Sequence, residues 1–291
     1  MKIKQENPRN LFNHRNIGLF VVYGGNILLA ILYLAPWIWA MAVTFLPQEF
    51  LYKYPPVLFR WPLNFDNYLE VIRFDDGRFL NSMKLSAIIS VSTSIFVVVF
   101  GLLAGYAFAY LKFIGKKYIF ILVLATMMFP FTAILIPLFR IILSVGLLNK
   151  PISLILLYTV FYLPFSVFLF RNSFEAIPKS IRDAARIDGC NEFNVLIRVI
   201  LPLVKPAIAS VIIYTIYNSW NEFTTALIFL TSEYYTTVPV TLSYLALSHR
   251  FQSKGHLLMT GSIIGALPMI ILFLIFQKYF VKGIIAGSTK G

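Results

Sequence analysis

Apolar and polar positions along this chain come in long blocks rather than at the spacing of a surface helix or strand. Six blocks are nearly unbroken apolar runs: Gly18–Phe45, Leu85–Tyr110, Tyr118–Phe139, Ile152–Phe170, Ala207–Leu230 and Leu257–Phe280. Each reaches the roughly 18 residues that suggest passage through a bilayer. Lipid offers the backbone no hydrogen-bond partners, so each run is expected to be a helix that closes its bonds internally. The pattern predicts an all-α membrane protein with six transmembrane helices. It has a polar N-terminal segment at 1–17, a transmembrane domain at 18–280 and a tail at 281–291. Two connecting segments are long, 46–80 and 171–205.

Composition agrees. Hydrophobic residues make up 59% of the 291 and charged residues 13%, against about 25% charged in soluble domains. One soluble core of this size could not hide so much apolar surface. The run Gly18–Phe45 is too long for the core of a cleaved signal peptide and reads as a retained span. The net charge of +13 raises the question of nucleic acid. The basic residues sit in short clusters between apolar runs, with no continuous basic face, so membrane lipid is the expected partner and nucleic acid is not. Of 25 lysines and arginines, 16 fall in the N-terminal segment, Lys112–Lys117, Arg171–Lys205 and the C-terminal end from Lys278 onward. The positive-inside rule then puts both termini and the 171–205 loop in the cytoplasm, with 46–80 outside.

The chemistry of catalysis is missing. Cys190 is the only cysteine, so neither an intrachain disulfide nor a cysteine-based metal site can form. His14, His249 and His256 are scattered, and no metal site is expected. Gly115-Lys116-Lys117 lacks the preceding glycine and the hydroxyl residue of a phosphate-binding loop. Other features concern packing. Gly101 with Gly105, and Gly261 with Gly265, are small-residue pairs that let helices approach closely. Pro36, Pro130, Pro137, Pro164 and Pro268 interrupt the apolar runs, as hinges or as static kinks.

The loop at 171–205 is polar yet regular. Pro178 can open a short helix and Gly189 can close it, with Ala184 and Ala185 leaving a bare surface between them. Phe193, Leu196, Ile197, Ile200 and Leu201 follow at helical spacing as one apolar face, with Asn191, Glu192, Asn194 and Arg198 mostly off it. Pro202 ends the pattern. Such a unit suits a handle for another protein or a helix lying on lipid headgroups.

These residues carry a resemblance. Asp183-Ala184-Ala185, Asp188-Gly189 and Leu201-Pro202 resemble the EAA motif of binding-protein-dependent ABC importer permeases, with Asp183 in a glutamate position and Val199 in an isoleucine position. Asn64-Phe65-Asp66-Asn67-Tyr68, Asn81-Ser82, Gly105-Tyr106-Ala107-Phe108-Ala109, Met127-Met128-Phe129-Pro130, Ile136-Pro137-Leu138, Trp220-Asn221-Glu222-Phe223 and the tail glycines extend the likeness over most of the chain. The chain is similar to the smaller, six-span permease subunit of the maltose-type sugar importers. The resemblance implies a type I importer fold with a cytoplasmic coupling helix in a bacterial inner membrane. It also implies a second, homologous permease subunit, two ATP-binding cassette ATPase subunits and an extracytoplasmic solute-binding protein. On that footing the chain is a translocation subunit and not an enzyme. ATP and Mg belong to the partner ATPases, and no cofactor is expected on this chain.

A route for solute is sought in the fifth run. Asn218, Asn221, Glu222 and Thr225, with Thr215 one turn earlier, would form one polar stripe on a continuous helix. A carboxylate in a span must face a cavity or a partner. The stripe suits a hydrated sugar path or polar contacts between permease chains. Tyr158, Tyr162 and Phe131 can stack on sugar rings or simply pack. The charges of 46–80 (Glu49, Asp66, Glu70, Asp75 and Asp76 against Lys53, Arg60, Arg73 and Arg78) suit docking of the solute-binding protein or an ordinary solvated loop. The cargo expected from the resemblance is a carbohydrate, an oligosaccharide. A non-sugar solute carried by the same machinery is the alternative, and a stand-alone secondary transporter is a more distant one.

Overall fold

The computed structural model describes residues 8–50, 54, 57, 59–232, 235–247 and 255–288, with side chains except at 8–18, 20, 21, 48 and 278–288. Lys2, Lys4, Lys53, His249 and Lys290 lie outside the described residues, as do the side chains of Arg9, His14, Arg15, Lys278 and Lys282. Regular structure among the described residues is helical. In chain order come α1 (Pro8–Thr44), α2 (Asp66–Ile72), α3 (Phe74–Tyr110), α4 (Lys116–Ala125), α5 (Leu135–Ser144), α6 (Pro151–Glu175) and α7 (Lys179–Ile187). After these come α8 (Glu192–Asn194), α9 (Leu201–Leu203), α10 (Lys205–Asn221), α11 (Thr224–Phe229), α12 (Val238–Leu247) and α13 (Gly255–Ser288).

Four stretches are each long and apolar enough to cross a membrane as one helix: Val22–Thr44, Phe74–Tyr110, Pro151–Glu175 and Gly255–Gln277. Pro36, Pro164 and Pro268 lie inside α1, α6 and α13, which continue through them. Membrane helices tolerate this because neighbouring groups re-satisfy the freed carbonyls. The helix α13 also runs on to Ser288, past the expected end of the last span.

The third and fifth runs are not the single helices expected. In the third, the segments Lys116–Met128 and Phe131–Ser144 meet at 94°. Pro130 stands between them in an extended conformation, where its missing N–H and fixed φ stop the helix. In the fifth, α10 ends at Asn221, Glu222 is extended (φ −71°, ψ 125°) and α11 starts at Thr224. The continuous polar stripe therefore does not exist.

Two compact units are present, residues 1–71 with 253–263 and residues 72–252 with 264–291. In the first, Asn67 Nδ2 donates to the carbonyls of Thr44 (2.7 Å) and Leu46 (3.0 Å) at the end of α1. Those carbonyls have no intrahelical partner, so the buried amide supplies the missing donors. Tyr68 Oη bonds Thr44 Oγ1 at 2.8 Å, and Phe45, Phe65 and Tyr68 form an aromatic cluster beside it.

In the second unit, α3 packs along α6. A Cβ on Gly105 would stand 2.7 Å from Phe170 Cβ, and one on Gly101 would stand 1.8 Å from Ser166 Oγ. The absent side chains let the two backbones meet, as the small-residue spacing predicts. Ser166 Oγ then donates across to the Val97 carbonyl at 3.1 Å. At its start α3 is irregular. Asp75, Asp76 and Gly77 have positive φ, and Arg78 pairs with Asp75 at 2.8 Å.

Candidate functional site

The loop after α6 is built as a stiff unit. Pro178, extended, precedes α7. At its far end Gly189 adopts φ +84°, its N–H bonds the Arg186 carbonyl (3.1 Å) and the Cys190 N–H bonds the Ala185 carbonyl (3.0 Å). This pair of bonds is the Schellman closure of a helix, which needs a left-handed residue in the glycine position. Asn191 Oδ1 accepts from the Asn194 N–H at 2.8 Å and so caps the following turn.

The second half of the loop differs from the amphipathic α-helix expected. Val195–Ile200 forms a π-helix between α8 and α9. Its wider turns move the buried face to Val195, Leu196 and Ile200, while Phe193 and Ile197 are exposed. Leu201 packs against the same core, and the helix runs past Pro202 to Leu203 before turning by 81° into α10. That core also contains Leu102 and Tyr106 of α3 and Phe170 and Phe174 of α6, so the loop is seated on the ends of two spans.

The two alanines of the motif are not equivalent. Ala185 is buried in this core, beside Cys190, and Ala184 is exposed. Asp183, Asp188 and Gly189 are exposed as well, and Ile187 is an apolar side chain left 86% exposed at the tip. Asp183, Ala184 and Ile187 thus lie exposed along one side of α7. Leu201 belongs to the support beneath it.

A polar tether reinforces the apolar seat, and periodicity did not reveal it. Arg182 Nη2 donates to Glu192 Oε1 at 2.8 Å, and Arg186 lies 3.6 Å from the same oxygen. Tyr106 of α3 donates its hydroxyl proton to Glu192 Oε2. The Arg182 guanidinium also stands over the Tyr110 ring, 5.0 Å from its centroid. Burial pushes the Glu192 carboxyl upward, but the hydrogen bonds from Tyr106 and Arg182 outweigh it and hold the group below its ordinary 4.5.

The sequence-predicted solute residues divide into two sets. Asn218 Nδ2 and Asn221 Nδ2 donate to carbonyls of their own helix, Tyr214 (2.7 Å) and Tyr217 (2.8 Å), and neither lines the aromatic cavity beside Glu222. Glu222, Thr225, Tyr158, Tyr162 and Phe131 do converge, on a cavity of about 320 Å³. Its remaining wall includes Phe161, Phe165 and Tyr214, which come from α6 and α10 and escaped the sequence reading.

The helix break places the carboxylate. Glu222 accepts from the Thr225 N–H (2.9 Å) and the Ala226 N–H (3.1 Å), two otherwise unpaired donors of the first turn of α11. Negative charge is favoured there by the helix dipole. Tyr158 Oη donates to Glu222 Oε2 at 2.7 Å. Trp220 anchors the segment from the other side, its indole N–H reaching the Gly265 carbonyl at 3.1 Å. Thr225 Oγ1 is buried at the cavity wall with no hydrogen-bond partner among the described residues. The cavity thus combines tyrosine and phenylalanine faces, a fixed carboxylate and an unpaired hydroxyl.

Comparison with known proteins sets this geometry in a family. Residues 82–286 match the family described as "Binding-protein-dependent transport system inner membrane component". The arabinooligosaccharides transport system permease protein AraQ of Bacillus subtilis is 36% identical over 242 residues, covering 80% of this chain and 85% of its own length. The trehalose/maltose transport system permease protein MalG of Thermococcus litoralis is 34% identical over 267 residues, 92% of this chain and 95% of its own. A chain in the crystal structure of a bacterial ABC transporter involved in import of the acidic polysaccharide alginate has the same fold. It superimposes with a TM-score of 0.75 at 23% identity, over 96% of this chain and 100% of that one. The all-helical architecture, the broken spans and these matches together assign the chain to the family of inner membrane components of binding-protein-dependent transport systems.

Proposed function

We propose that this chain is the membrane-spanning permease subunit of an ATP-driven importer that translocates an oligosaccharide delivered by an extracytoplasmic solute-binding protein. The observation that carries the carbohydrate reading is the cavity beside Glu222. Its aromatic faces suit the apolar faces of sugar rings, and its carboxylate and the unpaired Thr225 hydroxyl suit sugar hydroxyls. The sugar-permease names of the relatives AraQ and MalG support it.

Energy enters through α7. Asp183, Ala184 and the exposed Ile187 form the face that docks on a partner ATPase, Gly189 turns the chain, Ala185 and Leu201 hold the helix on the bundle, and Pro202 lies exposed at the end of the unit. ATP and Mg act on two separate ATPase subunits, and a second permease chain completes the pathway. Both termini and the 171–205 loop face the cytoplasm, in keeping with their basic residues.

The test is uptake into proteoliposomes holding the whole assembly, with a labelled arabino-oligosaccharide and a labelled malto-oligosaccharide as probes. Uptake of at least one should require ATP, the ATPase pair and the binding protein. Uptake by this chain without the ATPases would sink the importer reading. ATP-driven uptake confined to non-sugar solutes would overturn the carbohydrate reading and leave the coupling reading standing.

A further inference from the structure

A second cavity, of about 520 Å³, lies away from the aromatic one and is lined by Phe108, Lys116, Lys117, Phe120, Ile121 and Arg171. It sits where α3 ends, α4 begins and α6 approaches its last turn. Three cations therefore gather where the apolar stretches of three helices stop. The carboxylate recorded against them is Glu175, which accepts from Arg171 Nε at 2.9 Å.

The cations are held in place. Lys116 Nζ donates to the carbonyls of Leu111 (3.1 Å) and Ala109 (3.4 Å) at the end of α3. The Arg171 guanidinium stands over the Phe120 ring, 4.0 Å from its centroid, and keeps further N–H donors beyond the one given to Glu175. Lys117 is exposed and has no carboxylate within salt-bridge distance among the described residues. Beneath the charges the wall is apolar. Phe108 and Phe120 are buried, and Ile121 beside them is 51% exposed.

We propose that this pocket binds the phosphate headgroup of an anionic phospholipid, with its acyl chains running down the Phe120–Ile121 side. A phosphate satisfies the excess of positive charge and can take paired donors from arginine. Basic pockets between membrane helices are suited to such headgroups. A soluble phosphate would meet the same cations but would gain nothing from the apolar wall, so the lipid is the better match to the whole surface. The site is distinct from the solute cavity and from the α7 face, and it would fix the α3–α4 corner against α6.

The experiment uses the complete assembly in nanodiscs of phosphatidylcholine or phosphatidylglycerol, with retained lipid read by native mass spectrometry. Phosphatidylglycerol should stay bound after detergent release and phosphatidylcholine should not. Lys117→Gln, an exposed change, should weaken retention about fivefold, the effect of one surface cation on an anionic lipid. Lys117→Arg should restore it. Equal retention of both lipids, or no effect of Lys117→Gln, would overturn the proposal. Displacement of the lipid by inorganic phosphate would overturn the lipid as ligand in favour of a free anion. A photoreactive phosphatidylglycerol on the unsubstituted assembly needs no variant. Label within residues 108–121 or at Arg171 is expected, and label only elsewhere would refute the site.

Discussion

Glu192 and Arg182, ten residues apart and on opposite sides of the Gly189 turn, are joined at 2.8 Å. Their bond closes the loop on itself, and Tyr106 ties the closed loop to α3 through the same carboxylate. Glu192→Gln keeps the shape and loses the charge. The side chain is 38% exposed, so the expected cost is only about 1 kcal/mol. Under the proposed function, uptake per ATP hydrolysed should fall while ATP hydrolysis itself persists. Parallel measurement of transport and phosphate release checks this, and an unchanged ratio would count against a force-bearing tether.

The same carboxylate sets a pH dependence. Its folded-state value lies below the ordinary 4.5, so its contribution to stability is complete above 4.5. The contribution is lost as pH falls through the lower folded-state value. Hydrogen-exchange protection in the 179–200 loop, taken relative to the intrinsic amide rate at each pH, should be the same at pH 7 and pH 6 and weaker below 4.5. In Glu192→Gln this acid step should be absent.

Gly189 separates conformation from space. An added Cβ would meet nothing within 4 Å, yet φ is +84°. Substitution should therefore cost about 1–2 kcal/mol of left-handed strain and no clash. Asn, which tolerates that conformation, should retain more ATP-driven uptake than Val, which does not. Equal loss in both variants would argue for a steric role of the glycine instead.

Gly105 poses the opposite problem. A methyl there meets Phe170 Cβ at 2.7 Å and the Arg171 backbone nitrogen at 3.1 Å, neither of which can swing away. Gly105→Ala should destabilise the assembly by about 1–3 kcal/mol, read as a lower melting temperature in detergent. Gly101→Ala meets Ser166 Oγ first, so adding Ser166→Ala should recover part of its loss.

At the solute cavity, Glu222→Gln keeps one acceptor oxygen for the Thr225 and Ala226 N–H groups, whereas Glu222→Ala removes the cap. The alanine variant should lose about 1 kcal/mol more. Tyr162→Leu should raise the half-saturating concentration of the oligosaccharide at constant yield of assembled complex. An unchanged value would place the sugar contacts elsewhere.

Local signals explain what could be read in advance. Pro178 and Gly189 bound α7 in the sequence and in the structure, because backbone restriction at those residues needs no distant partner. Tyr106 and Glu192 are 86 positions apart, and nothing in helical spacing joins them. The break at Glu222 also lacked a marker. No proline or glycine occupies it, and Asn218, Asn221, Glu222 and Thr225 fit an unbroken helix by spacing alone. Pro130 did mark its site, but a proline can kink a span or end it, and the 94° turn required the surrounding packing. The π-helix at Val195–Ile200 shifted a face that spacing had placed on Phe193 and Ile197, since periodicity assumes one turn length throughout.

The adjacent alanines of α7 differ in burial, Ala185 in the core and Ala184 exposed, and this makes them reporters of different events. Ala185 is buried in the core that also holds Val195 and Phe174, so the damage done by a larger residue there should appear as soon as the chain folds. Ala184 is exposed, so a larger residue there extends into solvent and its defect should arise when another protein arrives. Two neighbouring codons thus distinguish a folding lesion from an assembly lesion in the same helix.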